Sequence, residues 1–506
     1  MKKSAEGIVG TDTSQQPKEK VKVGGLTKYS RPESINIKDE VTMRKDKRQQ
    51  KNKQLELFTN EPVGWKCGGT IKETETGVEL SSRLEHQRAL TTTILERVVD
   101  YMNLDKAYRQ VRANGGSSGI DGMDTESLRV WMGNNIKELQ REILEGSYRP
   151  EAVRKVEIPK PNGGKRMLGI PTVKDRLIQQ AIHQELVRWY EPHFSEHSYG
   201  FRPGRNAGQA ILQASEYVAE GKEWVVDIDL EKFFDKINHD RLMQRLSKGV
   251  GDKRLLRLIN AYLQTGMMAD GLVEQRVSGT PQGSPMSPLL SNIVLDEMDR
   301  ELEKRGLSFC RYADDCNIFV NSRKAGERVL ASLTGFIEKK LKLKVNREKS
   351  GVRHCSDVKF LGYTILPEGK IRVADKTIER FKSKVKELTK RNRGVKLEQI
   401  VKELNAVITG WTNYFHLANT WLSTFRDLDG WIRRKLRCYR LKQCGRRYTI
   451  YKLLRSFNIP VNTSWNVVMY SQGWWAMSNK TAVNKAMSPK WFASKGLQSL
   501  SARMGR

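Results

Sequence analysis

The stretch Phe309-Cys-Arg-Tyr-Ala-Asp-Asp-Cys-Asn-Ile-Phe-Val320 carries two adjacent carboxylates between two apolar runs. Its flanking residues Phe309, Tyr312, Ile318, Phe319 and Val320 are of the types that favour strands, and a central Asp-Asp is tolerated where a hairpin reverses. The stretch therefore predicts strand, tight turn, strand, with Asp314 and Asp315 at the tip. Neighbouring carboxylates on a rigid turn repel each other, and a hard divalent cation such as Mg²⁺ relieves that repulsion. A solvated turn is the commoner explanation of the dipeptide taken alone. The surrounding chain has to decide between them.

A chain of 506 residues is long enough for about three domains with a sizeable core. Its six cysteines are scattered, with no C-x-x-C pair and no His/Cys spacing of a zinc site, which predicts reduced, packed thiols of a cytosolic protein. No apolar run reaches transmembrane length and the first residues lack a secretory pattern, so secretion and membrane insertion are not expected. Net charge is the strongest global signal: 90 Lys+Arg against 58 Asp+Glu leaves +32. Such an excess strains a compact state unless a polyanion covers the surface, and nucleic acid is the first candidate. The excess is uneven, since residues 377–447 hold 18 Lys+Arg and only 6 Asp+Glu.

Residues 1 to about 60 show no sustained periodicity and read as a disordered or basic arm. Helical spacing starts at about Leu84, with Ile94, Val98, Tyr101 and Leu104 on a 3.6 period, followed by the glycine-rich loop Asn114–Gly122, which suits close approach to a phosphate backbone and lacks the order of a nucleotide P-loop. Val153–Lys160 and Lys165–Ile170 predict a hairpin with a basic tip, and Val173–Tyr190 a helix. Tyr199-Gly-Phe-Arg-Pro-Gly-Arg-Asn206 is a loop with two arginines, Arg202 and Arg205. Trp224-Val-Val-Asp-Ile-Asp-Leu230 predicts a buried strand with Asp227 and Asp229 on one face, Asp227 and Asp235 being expected to cap the next helix or to pair with a basic residue. Ser287 and Pro288 fit an N-cap and a first helical position. A helix over Ala325–Leu341 and a strand over Val358–Ile365 complete an α+β alternation with a mostly antiparallel sheet. Beyond Asp375 three basic helices are expected, with Lys382, Lys386, Arg433, Arg434 and Arg437 mainly off their apolar stripes and facing solvent or phosphates. The last 60 residues mix basic and aromatic side chains, which suits base stacking and equally suits a tryptophan core.

A carboxylate on one strand and an Asp pair on a later hairpin are what two-metal phosphoryl transfer requires. With Ile158-Pro-Lys-Pro161, Gly169-Ile-Pro-Thr-Val-Lys-Asp-Arg176, Tyr199-Gly-Phe-Arg-Pro203, Asp227-Ile-Asp-Leu-Glu-Lys-Phe-Phe-Asp235, Gly279-Thr-Pro-Gln-Gly283, Arg311-Tyr-Ala-Asp-Asp315 and Phe360-Leu-Gly362 in this order, the sequence resembles the reverse transcriptase and maturase encoded by bacterial group II introns. It is most similar to the group IIC type, which lacks an HNH endonuclease domain.

The resemblance implies a right-hand polymerase. Its parts would be an N-terminal extension (1–93), fingers and a palm with an antiparallel sheet (94–375), an all-α thumb or maturase domain (376–440) and a small C-terminal DNA-binding region (441–506). It further implies that Asp229, Asp314 and Asp315 hold two Mg²⁺ ions and that Lys160 and Arg166 grip the triphosphate. Phe234 would exclude a 2′-hydroxyl, Gln282 would line the nascent base pair and Lys349 would donate a proton to pyrophosphate. Arg202, Arg205 and the basic residues of the three helices would contact nucleic acid. The implied partners are intron RNA, an RNA template with its DNA primer, a DNA target and dNTPs, in a bacterial cytoplasm or nucleoid. The implied activity is RNA-directed DNA synthesis in retrohoming, together with splicing. A maturase with an idle polymerase and a reverse transcriptase captured for host defence are the competing readings.

Overall fold

The computed structural model describes residues 93–159, 165–269, 272–274, 278–280, 283–420 and 422–505. The expected N-terminal arm and the basic tip of the first hairpin lie outside them.

Among the described residues, two four-stranded sheets and a short ribbon organise the fold. In the first sheet β1 (Val153–Pro159) pairs antiparallel with β2 (Lys165–Ile170), as the alternation predicts. β4 (Met267–Ala269) runs parallel to the start of β1 and pairs antiparallel with β5 (Leu272–Glu274).

The second sheet has the order β6 (Ser308–Tyr312), β7 (Asp315–Val320), β3 (Trp224–Ile228), β8 (Gly351–His354), antiparallel throughout. Because successive side chains point to opposite faces, this sheet separates two cores. Phe309, Val226, Ile228, Cys316 and Ile318 join the N-terminal core, whereas Cys310, Val225 and Phe319 join the core shared with the C-terminal helices. Four of the five cysteines among the described residues are buried and none is in a disulfide, as their scatter predicts.

The helix Val173–Tyr190 has the expected bounds, and its start is closed by the Thr172 hydroxyl, which accepts from the Asp175 N–H. The glycine-rich loop before it approaches protein backbone. A Cβ on Gly119 would lie 2.5 Å from Thr172 Cα, and the Arg176 guanidinium donates to the carbonyls of Gly115 and Ser117.

Two expectations need correction. The helix Ser287–Lys304 has Met286 at its N-cap, one residue before the position expected, because the Ser284 hydroxyl receives the Met286 N–H and the Ser284 carbonyl receives the Ser287 N–H. The strand expected over Val358–Ile365 shrinks to β9 (Tyr363–Ile365). Leu361 and Gly362 both take positive φ and close a two-residue turn, across which Phe360 and Tyr363 exchange backbone hydrogen bonds of 2.9 and 3.0 Å. β9 then pairs with β10 (Ile371–Val373).

The three predicted C-terminal helices are present as Asp375–Leu388, Leu397–Tyr414 and Leu422–Cys444. The third runs unbroken through the division expected at residue 440. Its Leu436, Tyr439 and Leu441 share a core with Ile450, Val468, Val483 and Phe492. Asp429 on the same helix accepts from the Leu500 and Ser501 N–H groups at 2.8 and 3.0 Å, fastening the final helix.

Candidate active site

The β3–β7 ladder ends with Ile228 opposite Cys316. One step further along the same register, Asp229 faces Asp315. Asp227, Asp229, Asp315 and Asn317 therefore lie on one face of the sheet. The β6–β7 turn is narrower than the sequence implied. Tyr312 pairs with Asp315, so only Ala313 and Asp314 form the tip and Asp315 already belongs to β7.

The carboxylates differ in their surroundings. Asp227 receives the Arg353 Nη1 at 2.8 Å, the second of the two roles expected for it. Asp229 receives the Lys349 ammonium at 3.1 and 3.3 Å, while its backbone N–H donates to the Ser350 hydroxyl at 2.9 Å. Asp315 is largely buried. Burial first, and then the charges of Asp227, Asp314 and Asp229, push its carboxyl up to about 7. A group held in that way is stabilised as an anion by added positive charge, and oxygen donors alone are what a hard divalent cation selects. The donor set fits Mg²⁺ in its chemistry. Among the described residues no three His, Cys, Asp or Glu side chains are grouped so as to hold an ion, and the Asp229 carboxylate is paired with Lys349.

A buried network holds the turn in place. Arg311 is fully buried and grips the equally buried Asp299 through Nε and Nη2, at 2.7 and 2.6 Å. Its Nη1 donates to Asn292 Oδ1 and to the Ala313 carbonyl, both at 2.9 Å, and its Nη2 to the Ser198 hydroxyl at 2.7 Å. Asn292 in turn donates to the Gly200 carbonyl at 2.9 Å. Gly200 must lack a side chain, since a Cβ there would sit 2.3 Å from the Ala313 nitrogen. Sequence reasoning missed Arg311, Asp299 and Asn292. The available signal was a charge inside an apolar strand, with Asn292 and Asp299 two helical turns apart on the buried face of their helix.

Phe234 lies in a short helix against Phe233, with ring centroids 5.3 Å apart, and its carbonyl accepts the Thr280 N–H at 2.7 Å. This brings the Gly279–Thr280 loop to the expected position of the sugar gate. Lys160 and Gln282 lie outside the described residues. Arg166 is placed by its backbone, opposite Ile158 in the β1–β2 hairpin.

The nucleic-acid candidates divide by burial. Lys382 and Lys386 are exposed. Arg433 is partly exposed, and Arg434 stacks 3.9 Å from the Trp475 ring. Arg205 pairs with Glu196 over the Tyr199 ring. Two expectations fail. Arg202 is buried, with its guanidinium taken by Glu191 and by the Ser195 and Ser198 carbonyls, so it folds its own loop. Arg437 is also buried, its Nη1 donating to the Met487 carbonyl at 3.3 Å, and burial beside Arg433 and Arg434 lowers its pKa to about 10. The segment around Met487 folds back over this helix, a neighbour that the helix's own pattern does not reveal.

Comparison with known proteins accords with these observations. Residues 158–365 match the reverse transcriptase (RNA-dependent DNA polymerase) family, and residues 378–455 match the group II intron maturase-specific domain. Protein YkfC of Escherichia coli (strain K12) is 33% identical over 287 residues, covering 49% of this chain and 75% of the relative. The group II intron-encoded protein LtrA of Lactococcus lactis subsp. cremoris is 31% identical, covering 51% of this chain and 54% of the relative. The putative COX1/OXI3 intron 2 protein of Saccharomyces cerevisiae is 27% identical, covering 57% and 41%. The matched region thus spans three-quarters of the first relative and about half or less of the other two. The α+β palm, the helical region behind it and both domain matches together show that the chain belongs to the family of group II intron-encoded reverse transcriptases with a maturase domain.

Proposed function

We propose that this chain copies RNA into DNA by two-metal nucleotidyl transfer, and that it binds its intron RNA to promote splicing before copying the intron into a DNA target. The observation that carries the reading is the register that brings Asp229 beside Asp315, one residue from Asp314. Asp229, Asp314 and Asp315 would hold two Mg²⁺ ions. When bound, such ions acidify a primer 3′-hydroxyl and neutralise charge developing on the triphosphate.

The chain's own groups supply the rest. Lys349 stands at the Asp229 carboxylate, and once released it is an ammonium within the site, suited to protonating the leaving pyrophosphate. The Phe234 ring occupies the space that a 2′-hydroxyl would need, which selects dNTPs. Lys160 and Arg166 contribute positive charge for the triphosphate, and Gln282 meets the nascent base pair. Exposed Lys382 and Lys386 contact phosphates of the intron RNA or the primer–template. The proposed divisions are an extension over 1–93, fingers and palm over 94–375, a maturase domain over 376–440 and a DNA-binding region over 441–506. Among the described residues no helix is long and apolar enough to cross a membrane. We place the protein in the bacterial cytoplasm, at the nucleoid when it is bound to DNA.

The decisive experiment is primer extension on an RNA template with a DNA primer, dNTPs and Mg²⁺. Extension by the wild-type chain that disappears in Asp314→Asn, with RNA affinity retained, is the expected result. An inactive wild-type chain that still stimulates splicing would reduce the reading to an RNA-binding maturase.

A further inference from the structure

From Ser456 to Asn479 the chain carries no Asp, Glu, Lys or Arg. On either side of this stretch the charge is of one sign. Asp429 is the last acidic residue, and residues 430–506 contain 16 Lys+Arg. A charge-free segment within so basic a region is expected to be core, yet much of it faces outward. The helix Val461–Tyr470 buries Ser464, Val467 and Val468 and exposes Val461, Trp465 and Met469, spaced four residues apart along one face, with Tyr470 80% exposed.

Trp465 also terminates a row of parallel rings. Its centroid is 4.4 Å from Tyr451 at an interplanar angle of 20°, and Tyr451 is 6.0 Å from Tyr448 at 16°. The ammonium of Lys452 lies 4.8 Å from the Tyr448 centroid. Tyr448 is 56% exposed and Trp465 38%. Trp474 and Trp475 carry cations in the same way, with Arg434, Lys435 and Lys442 within 4.7 Å of their ring centroids. Val461, Trp465 and Met469 fall beyond residue 455, where the maturase-domain match ends.

We propose that the row Tyr448–Tyr451–Trp465 is a stacking site for one or two unpaired bases of single-stranded DNA at its exposed ends, with exposed Lys452 and Arg447 taking the adjoining phosphates. Parallel rings at stacking distance extend a run of unpaired bases, whereas a duplex keeps its base faces to itself. Aromatic platforms edged by cations are the general means of holding single strands. The 16-to-none charge balance around the row selects a polyanion over a second copy of this basic chain. Val461 and Met469 offer apolar surface to a thymine methyl and no partner for a 2′-hydroxyl, which would be desolvated at a cost. This chemistry selects DNA over RNA. The inference rests on the reading of the C-terminal region as DNA-binding and adds the strand state and the residues.

The test uses the full chain and measures the affinity of a 20-nucleotide oligothymidylate, a 20-nucleotide oligoadenylate RNA and a DNA hairpin duplex across a salt series. Tyr448→Ala and Trp465→Ala are compared with Tyr448→Phe and Trp465→Tyr, which keep a ring. Each alanine change should weaken oligothymidylate binding about ten-fold, leave the duplex unchanged and leave the salt slope unchanged, while the ring-keeping variants bind nearly as wild type. Lys452→Gln should instead lower the slope by roughly 0.7. Unchanged oligothymidylate affinity in the alanine variants overturns the proposal, and so does an equal loss on the duplex. Loss confined to the RNA oligonucleotide reassigns the row to RNA and overturns the choice of DNA. A wild-type dimer in sedimentation that Trp465→Ala dissociates, with oligothymidylate binding intact, assigns the face to a second copy and overturns it as well. Primer extension on a pre-annealed RNA template should be unaffected at saturation. An inactive wild-type chain would therefore count against the polymerase reading, without bearing on the ring row.

Discussion

Arg311 and Asp299 form an ion pair of 2.6 Å in which both side chains are fully buried, and the same guanidinium donates to the carbonyl of Ala313, the residue before Asp314. Removing one partner leaves a buried charge uncompensated, which costs about 3–5 kcal/mol. Arg311→Met should therefore lower unfolding stability by about that amount. The double variant Arg311→Met/Asp299→Leu should regain much of the stability. It should not regain primer extension, because the bond to Ala313 is still missing. Equal recovery of both, measured by denaturant melts and single-turnover extension, would show that the pair serves stability alone.

Gly200 packs against the same turn. A methyl there, 2.3 Å from the Ala313 nitrogen, has to displace backbone that carries Asp314. Gly200→Ala is expected to slow extension about 100-fold, the usual consequence of a misplacement near 1 Å, with RNA affinity nearly unchanged. Gly133→Ala is the control, since that helical glycine has nothing within 4 Å of a built Cβ. It should keep full activity.

Phe234→Ala opens the space beside the Gly279–Thr280 loop. The preference for dNTPs over rNTPs, read as the ratio of kcat/KM values, should fall by about ten-fold or more, with dNTP extension reduced much less. An unchanged ratio would place the gate on another residue.

Salt dependence should follow exposure. Replacing exposed Lys382 and Lys386 with Gln should flatten the logarithmic salt slope of RNA binding by roughly one unit for each phosphate no longer neutralised. Arg437→Gln should instead lower stability and leave the slope in place, because Arg437 is buried against the Met487 carbonyl. A slope that fell only with Arg437 would reverse this assignment.

His183 provides a pH prediction. Burial pushes its imidazole down from 6.5 to about 4, and its Nδ1 has no hydrogen-bond partner among the described residues. Between those two values the unfolded chain binds the proton and the folded chain does not, so stability rises with pH across the window and falls on acidification. From pH 7 to pH 5 wild type should lose roughly 2 kcal/mol more than His183→Leu. Parallel melts of the two proteins check it, and equal losses would mean that the imidazole is solvated.

Local pattern was enough for much of this protein. The period of Ile378, Phe381 and Val385, the alternation of β1 and the apolar strand around Asp227 and Asp229 depend on neighbours within a few residues, and the elements they predict are present. The order of the motifs along the chain was likewise enough for the family. The register that sets Asp229 beside Asp315, and the interior or surface position of each charge, were decided only by tertiary structure. Arg202 and Arg437 look in sequence like Lys382, and Arg311 differs only in standing inside an apolar strand. They are inside because Glu191, Asp299 and the Met487 carbonyl, up to 50 residues away, accept from them. An arginine can be buried only where such partners converge, and convergence is a property of the folded chain, so periodicity along one helix or strand could not reveal it.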